Sequence, residues 1–279
     1  MEEKNQILPI KKSLRGIIFL EITCFVVWII GIFFFYLPLP KSSIVVARIA
    51  GESSPYDALG ILLSVIIILV LFYRLRRSQA LAPVVSVLFG VIIYNTLSVF
   101  VEPLVALTIA ALIIYIERVF RSFVSNNLLV ILGVFAAAVS FVGTYSVNFL
   151  LILLGLFSLY DLAGVFWTKA IPKVAQGAAK IGMPLLLLMP KKETSWWQAP
   201  TPDTIVSMMG AGDLFIPLLF LSAVSAQVGW SVALVSFAGA VVGSGLNILF
   251  AKRVKGGIPA IPILAIGLVV GYFVGVLVV

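Results

Sequence analysis

The sequence predicts an all-α polytopic membrane protein of about nine transmembrane helices. Composition is the first reason. Of 279 residues, 62% are hydrophobic and 11% charged, and the mean hydropathy is +1.21, whereas soluble domains run to roughly 45–50% apolar and about 25% charged. That apolar surplus exceeds what a soluble core can hide, so the solvent must be lipid. The second reason is that apolar runs of bilayer-spanning length recur along the chain, and the third is that basic residues fall where a nine-span topology needs them.

A helix crosses the hydrocarbon with roughly 17–25 apolar residues, and with fewer where protein surrounds it. The candidates are Gly16–Leu37, Ala58–Tyr73, Ala80–Val101, Leu104–Ile116, Leu128–Thr144, Val147–Trp167, Thr204–Ala226, Ser231–Phe250 and Ile258–Val278. The fourth is short. The first is too long for the apolar part of a signal peptide, lacks a small-residue cleavage site and is closed by Pro38 and Pro40, so it reads as a span.

With a cytoplasmic N-terminus, the cytoplasmic segments hold Lys4, Lys11, Lys12 and Arg15; Arg74, Arg76 and Arg77; Arg118 and Arg121; Lys169, Lys173, Lys180, Lys191 and Lys192; and Lys252, Arg253 and Lys255. Only Lys41 and Arg48 fall on the other side, seventeen against two. This positive-inside bias supports nine spans with the C-terminus outside, because an error of one span would scramble the alternation. The net charge of +8 is therefore a topology signal. No basic stripe interleaved with aromatics points to nucleic acid.

The chain divides into residues 1–167 with spans one to six, a cytoplasmic connection 168–203, and residues 204–279 with spans seven to nine. The connection holds an apolar stretch between Pro184 and Pro190, then Trp196, Trp197, Pro200 and Pro202. It reads either as a loop resting on the membrane with the tryptophans as interface anchors, or as a lid or substrate-entry element. What flanks it favours a part in gating. Gly239 and Gly243 in the eighth span, and Gly267, Gly271 and Gly275 in the ninth, repeat at four-residue spacing, which lets helix backbones approach closely.

Chemistry is narrowed by what is missing. The sequence contains no histidine and a single cysteine, Cys24. Ser-His and Cys-His catalysis, HExxH zinc sites and an intrachain disulfide are excluded. Every lysine lies in a loop or at a span end, which argues against a buried Ser-Lys pair. Carboxylates remain. No metal or organic cofactor is implied, and water is the only co-substrate required.

Of eleven acidic residues, Glu2, Glu3, Glu52, Asp57, Glu193 and Asp203 lie in tails or loops. Glu102 and Glu117 sit at span ends, where a solvated or interfacial role is the default. Glu21, about five residues into the first span, reaches the interface or pairs with Arg15. Asp161 and Asp213 lie within apolar runs, where a carboxylate costs roughly 2.5–3.5 kcal/mol on insertion scales. Asp161 is about six residues, and Asp213 about nine, from the expected cytoplasmic span ends, which puts both roughly 9–14 Å deep at 1.5 Å per residue. Antiparallel helices adjacent in sequence are usually neighbours, so the two carboxyls can face each other. Two close carboxyls in a low dielectric cannot both ionise and share a proton. One then serves as base toward water and the other as acid toward a carbonyl. Gly210 and Gly212 would let a peptide backbone approach Asp213 and relax the local helix.

These residues resemble the presenilin and signal peptide peptidase family. Tyr160-Asp161 is similar to its Tyr-Asp motif on the sixth span, Gly210-Ala211-Gly212-Asp213 to its Gly-x-Gly-Asp motif on the seventh, and Pro259-Ala260-Ile261 to its Pro-Ala-Leu motif opening the ninth. Ile261 replaces the motif leucine, and Ala211 and Leu214 stand where presenilins usually carry leucine and phenylalanine. The orientation is presenilin-like, and the compact chain most resembles archaeal presenilin homologues. The resemblance implies a GxGD-type intramembrane aspartic endopeptidase with Asp161 and Asp213 as catalytic residues. Tyr160, Gly210, Ala211, Gly212, Pro259, Ala260 and Ile261 would line the substrate site. It further implies substrates that are single-span membrane proteins and a prokaryotic plasma membrane, and leaves homo-oligomerisation open. Three other readings stand beside it: a proton- or cation-coupled transporter or channel using the same two aspartates, a prepilin-type peptidase, and a membrane scaffold with no catalysis.

Overall fold

The computed structural model describes residues 14–36, 63, 70, 81–168, 170–251 and 259–279. Among the described residues there are nine α-helices and one two-stranded antiparallel sheet. Eight of the helices correspond to expected spans: α1 (Leu14–Tyr36), α2 (Leu81–Leu97), α3 (Pro103–Phe120), α4 (Phe123–Val142), α5 (Val147–Leu162), α7 (Ala211–Gln227), α8 (Trp230–Ala251) and α9 (Ile261–Val278). The ninth is the short α6 (Ala170–Lys180), which lies in the connection together with strand β1 (Leu186–Pro190). Strand β2 (Ile205–Gly210) leads into α7. The expected second span lies outside the described residues except for Leu63 and Val70, which are helical. Most of the basic residues behind the topology argument also lie outside them.

Six helical segments among the described residues are long and apolar enough to cross a membrane. Their apolar character runs all the way round, as lipid-facing helices require. On α1, Leu20, Cys24, Trp28 and Ile32 are buried, while Ile18, Ile22, Val26 and Ile30 on the opposite side are exposed. In this setting lipid covers the exposed side.

Helix ends are set by local chemistry. The short fourth run becomes a full 18-residue helix, α3, because Pro103 fits the first turn without losing a hydrogen bond and Arg121 ends it in a left-handed conformation. Helix α4 begins five residues before the expected Leu128. Ser122 and Ser125 cap it reciprocally: Ser125 N–H donates to Ser122 Oγ at 3.1 Å, and Ser122 N–H to Ser125 Oγ at 2.9 Å.

Two carboxylates depart from their expected surroundings. Glu117 is buried. It accepts from Ser86 Oγ of α2 at 2.9 Å and lies 3.0 Å from Arg118 Nε. The adjacent guanidinium compensates the charge, which makes burial tolerable. Glu21 does not reach the interface and does not pair with Arg15. It turns inward and accepts from Ser244 Oγ of α8 at 2.9 Å. Arg15 instead stands 4.0 Å from Glu193, with both side chains exposed, a pair of small energetic weight.

The core centres on α7, which is surrounded by α1, α4, α5 and α8. Trp28 of α1 donates from Nε1 to the Leu214 carbonyl at 3.0 Å, and Ser225 of α7 donates to the Ile32 carbonyl at 2.8 Å. Helices α8 and α9 form the closest pair, along the glycine seam expected from the sequence. A Cβ on Gly239 would lie 2.1 Å from the Gly267 carbonyl oxygen, and one on Gly267 would lie 2.2 Å from that of Gly239. Backbone meets backbone there, so no side chain can yield. Gly239→Val is expected to lower stability by about 1–3 kcal/mol through overpacking, read as reduced thermal stability in detergent. Gly155→Ala, where a Cβ meets nothing within 4 Å, should leave stability equal or slightly higher.

Candidate active site

The expected seventh span differs at its start. Ile205–Gly210 is a strand and the helix begins at Ala211. Strand β1 pairs antiparallel with β2: Leu186 faces Gly210, Leu187 faces Met209 and Leu188 faces Met208, and the register shifts at Pro190, where proline cannot donate to a ladder. The ladder reaches one step past the strands, because Ala211 N–H donates to the Leu185 carbonyl at 2.9 Å. The connection between the sixth and seventh spans thus carries strand β1, whose outer edge is closed by side chains. Asn126 Nδ2 donates to the Leu186 carbonyl at 2.9 Å. Asn127 donates to the Leu188 carbonyl at 2.8 Å and accepts from Leu188 N–H at 2.9 Å. In apolar surroundings an unpaired strand edge is costly, and the two asparagines on α4's first turn remove that cost.

The rest of the connection is pinned as well. Phe123 N–H and Val124 N–H donate to the carbonyls of Gln198 and Trp196, at 3.2 and 3.3 Å, which satisfies donors that helix α4 cannot pair itself. Trp196 is half-buried. It packs between Phe19 at 5.3 Å and Phe123 at 6.4 Å. Trp197 is 77% exposed.

Asp213 therefore lies on the first turn of α7, not deep in a helix. A negative side chain there is favoured by the helix dipole. Gly210 is the extended N-cap residue (φ −69, ψ 144), and a Cβ on it would lie 3.5 Å from Asp213 Oδ2, an ordinary contact. Gly212 faces open space. The two glycines mark a strand-to-helix junction with room beside it; they do not loosen a helix interior. Pro217 lies four residues beyond Asp213 within α7. It has no N–H, so the Asp213 carbonyl lacks its i+4 helical donor.

Asp161 is the penultimate residue of α5, which runs on into a π-helical turn, Ala163–Trp167. Such turns recur at functional sites. Asp161 is 6% exposed. Its Oδ2 accepts from the backbone N–H of Ile261, the first residue of α9, at 3.1 Å. A carboxylate thus caps α9, whose next residue, Pro262, has no N–H to satisfy. The Ala260 carbonyl on the same peptide group accepts from Asn247 Nδ2 of α8 at 2.8 Å.

Helices α5, α7 and α9 pack against one another, and the Asp161 end of α5 meets the start of α9. The structure therefore draws together Asp161, Pro259, Ala260 and Ile261 at one helix end, and Gly210, Ala211, Gly212 and Asp213 at the neighbouring one. Tyr160 is half-buried and packs against the main core. An apolar cavity lies one turn from each aspartate, between Phe157, Leu153 and Leu154 of α5 and Ile216, Leu219 and Phe220 of α7. Neither aspartate forms an ion pair among the described residues, and no cluster of potential metal ligands occurs among them. Asn126, Asn127 and Asn247 did not stand out in the sequence. Their signal there is weak, being uncharged polar residues in otherwise apolar helices.

The sequence profile of the family described as "Signal-peptide peptidase, presenilin aspartyl protease" matches residues 58–279. A comparison with curated proteins finds no match. Among solved structures, a presenilin family intramembrane aspartate protease in space group C222 superposes with a TM-score of 0.63 at 19% identity, covering 94% of this chain and 99% of that one. A presenilin family intramembrane aspartate protease in space group P2 gives 0.62 at 16% identity, covering 92% and 96%. At these identities the likeness is one of fold.

Asn127→Ala would open the edge of β1 at Leu188. It is expected to destabilise by about 1–3 kcal/mol and to speed exchange of the Leu188 amide hydrogen with solvent, while the amides of α9 are unaffected.

Proposed function

The chain belongs to the signal-peptide peptidase and presenilin family of aspartyl proteases, and from that premise we propose that Asp161 and Asp213 are the pair with which this intramembrane aspartate protease cleaves peptide bonds inside membrane segments. The observation that carries the reading is the state of the two carboxylates. One is buried and one half-buried, on adjoining helix ends, and neither has a cation among the described residues. A structural ion pair does not account for them. Sharing one proton lowers the cost of holding both in a low dielectric.

In this state the ionised carboxyl accepts a proton from water as the water oxygen bonds to the scissile carbonyl carbon. The protonated carboxyl gives its proton to the carbonyl oxygen. The tetrahedral intermediate collapses, the C–N bond breaks, and the nitrogen leaves with a proton returned from the pair. Oδ2 of Asp161 accepts from Ile261 N–H, which orients the carboxyl and leaves Oδ1 and the second lone pair of Oδ2 for the shared proton. A substrate helix must unwind before its carbonyl can be attacked, since its backbone is otherwise hydrogen-bonded. The open space beside Gly212 supports room for such an extended segment. Substrates would be membrane proteins with a transmembrane helix. The N-terminus would lie on the cytoplasmic side of a prokaryotic plasma membrane, with Asp161 and Asp213 toward that side. Family membership does not favour the transporter reading.

Purified protein in detergent is expected to cut a single-span test substrate within its membrane segment. Asp161→Asn and Asp213→Asn should each reduce the rate by about 10²–10⁴-fold. Native rates in either variant would refute the pairing. The native rate should be bell-shaped in pH: at low pH both carboxyls are protonated and no base remains, and at high pH both are ionised and no acid remains. A profile flat from pH 4 to 9 would count against proton sharing. Pro259→Leu should slow cleavage while the variant keeps the native elution volume on gel filtration. Full activity in that variant would remove Pro259 from the site.

A further inference from the structure

We propose that Asn247 is a positioning residue for this reaction: its carboxamide orients the peptide group between Ala260 and Ile261, and through it the donor that holds Asp161. The inference rests on the reading of Asp161 as a catalytic residue. Asn247 lies on α8, is 7% exposed and touches neither aspartate by any hydrogen bond.

The geometry is that of a relay through one rigid plate. The Ala260 carbonyl and the Ile261 N–H belong to the same planar peptide unit and point in opposite directions. Asn247 Nδ2 donates to the carbonyl at 2.8 Å, and the N–H donates to Asp161 Oδ2 at 3.1 Å. Fixing one end of the plane fixes the direction of the other. Hydrogen bonds in series also polarise one another, so donation to the carbonyl strengthens the N–H as a donor. The helix itself supplies a weaker hold on that carbonyl, since Leu264 N–H reaches it only at 3.3 Å.

Three observations separate this role from plain packing. The amide orientation is dictated by its partner, because the reverse orientation would set two oxygens against each other. Asn247 Oδ1 is buried with no hydrogen-bond partner. A leucine would fill the same volume without that unsatisfied oxygen, so the asparagine is poorly explained as filler. Its helix is also fixed on both sides. Gly243, one turn earlier, abuts the first turn of α9, where a Cβ would lie 2.8 Å from the Ile263 carbonyl oxygen. Ser244 ties α8 to Glu21 of α1.

The test measures kcat and KM for the single-span substrate with full-length Asn247→Leu and Asn247→Gln, using the monodisperse folded fraction of each. Asp161→Ala serves as control, and a thermal unfolding curve is recorded for every variant. Asn247→Leu is expected to lower kcat about tenfold, the effect of roughly one lost hydrogen bond, with KM within about twofold of native. Asn247→Gln, which keeps the donor, should recover kcat above the leucine variant. If Asn247→Leu does not fold, Asn247→Ser, which is smaller and cannot reach the carbonyl, is read on the same scale. Native kcat in the variant lacking the donor would overturn the inference. So would equal losses in the leucine and glutamine variants that follow their loss of thermal stability. An active Asp161→Ala would sink the proposed function itself, whereas an inactive Asp161→Ala beside a fully active Asn247→Leu would remove the positioning role alone.

Discussion

Inside a bilayer no water is available to satisfy a stray N–H or carbonyl, and each one left unpaired costs several kcal/mol. Helices meet this demand along their length but not at their ends. The organisation of this protein follows from how those ends are closed. The first turn of α4 is served by the backbone of the connecting segment, and that same turn in turn closes the edge of β1 through Asn126 and Asn127. The start of α7 is served by a strand ladder that continues through Ala211. The start of α9 is served by Asp161.

That last closure joins structure to chemistry. A carboxylate at a helix N-terminus is a stabilising cap in its own right. Here it is also one of the two residues we propose to share the catalytic proton. One lone pair of its Oδ2 is held by the backbone, which fixes the direction in which its remaining lone pairs face. Asp213, on the first turn of its own helix, has a comparable electrostatic setting. Pro217 leaves that turn's backbone less completely bonded than an ordinary helix start. Both carboxylates thus sit where a helix end, not a helix middle, makes burial affordable.

Much of this could be read from residues alone, and the exceptions share a cause. Long apolar runs announced their helices, and glycines at four-residue spacing announced the α8–α9 seam. Asp161 and Asp213 stood out because carboxylates within apolar runs are rare. Strand β2 did not, because Ile205–Met209 is an apolar stretch joined without a break to a helical one, and its partner strand lies some fifteen residues earlier within what read as a loop. The inward turn of Glu117 and Glu21 leaves little trace in the sequence, because the hydroxyls that meet them, on Ser86 and Ser244, are far away in the chain and carry no charge. Asn247 was invisible for a related reason. Its partner is a main-chain carbonyl thirteen residues on, and main-chain groups leave no trace in a sequence pattern.

The glycine seam has a mechanical consequence. With backbone against backbone at Gly239 and Gly267, and again at Gly243 and Ile263, α8 and α9 have no compressible layer between them and would move as one stiff plank. A plank that spans the membrane tilts when the surrounding hydrocarbon becomes thinner or thicker. Any such tilt pivots the end that carries the peptide group held against Asp161. A change in the thickness of the host lipid would then bear on the aim of a single N–H.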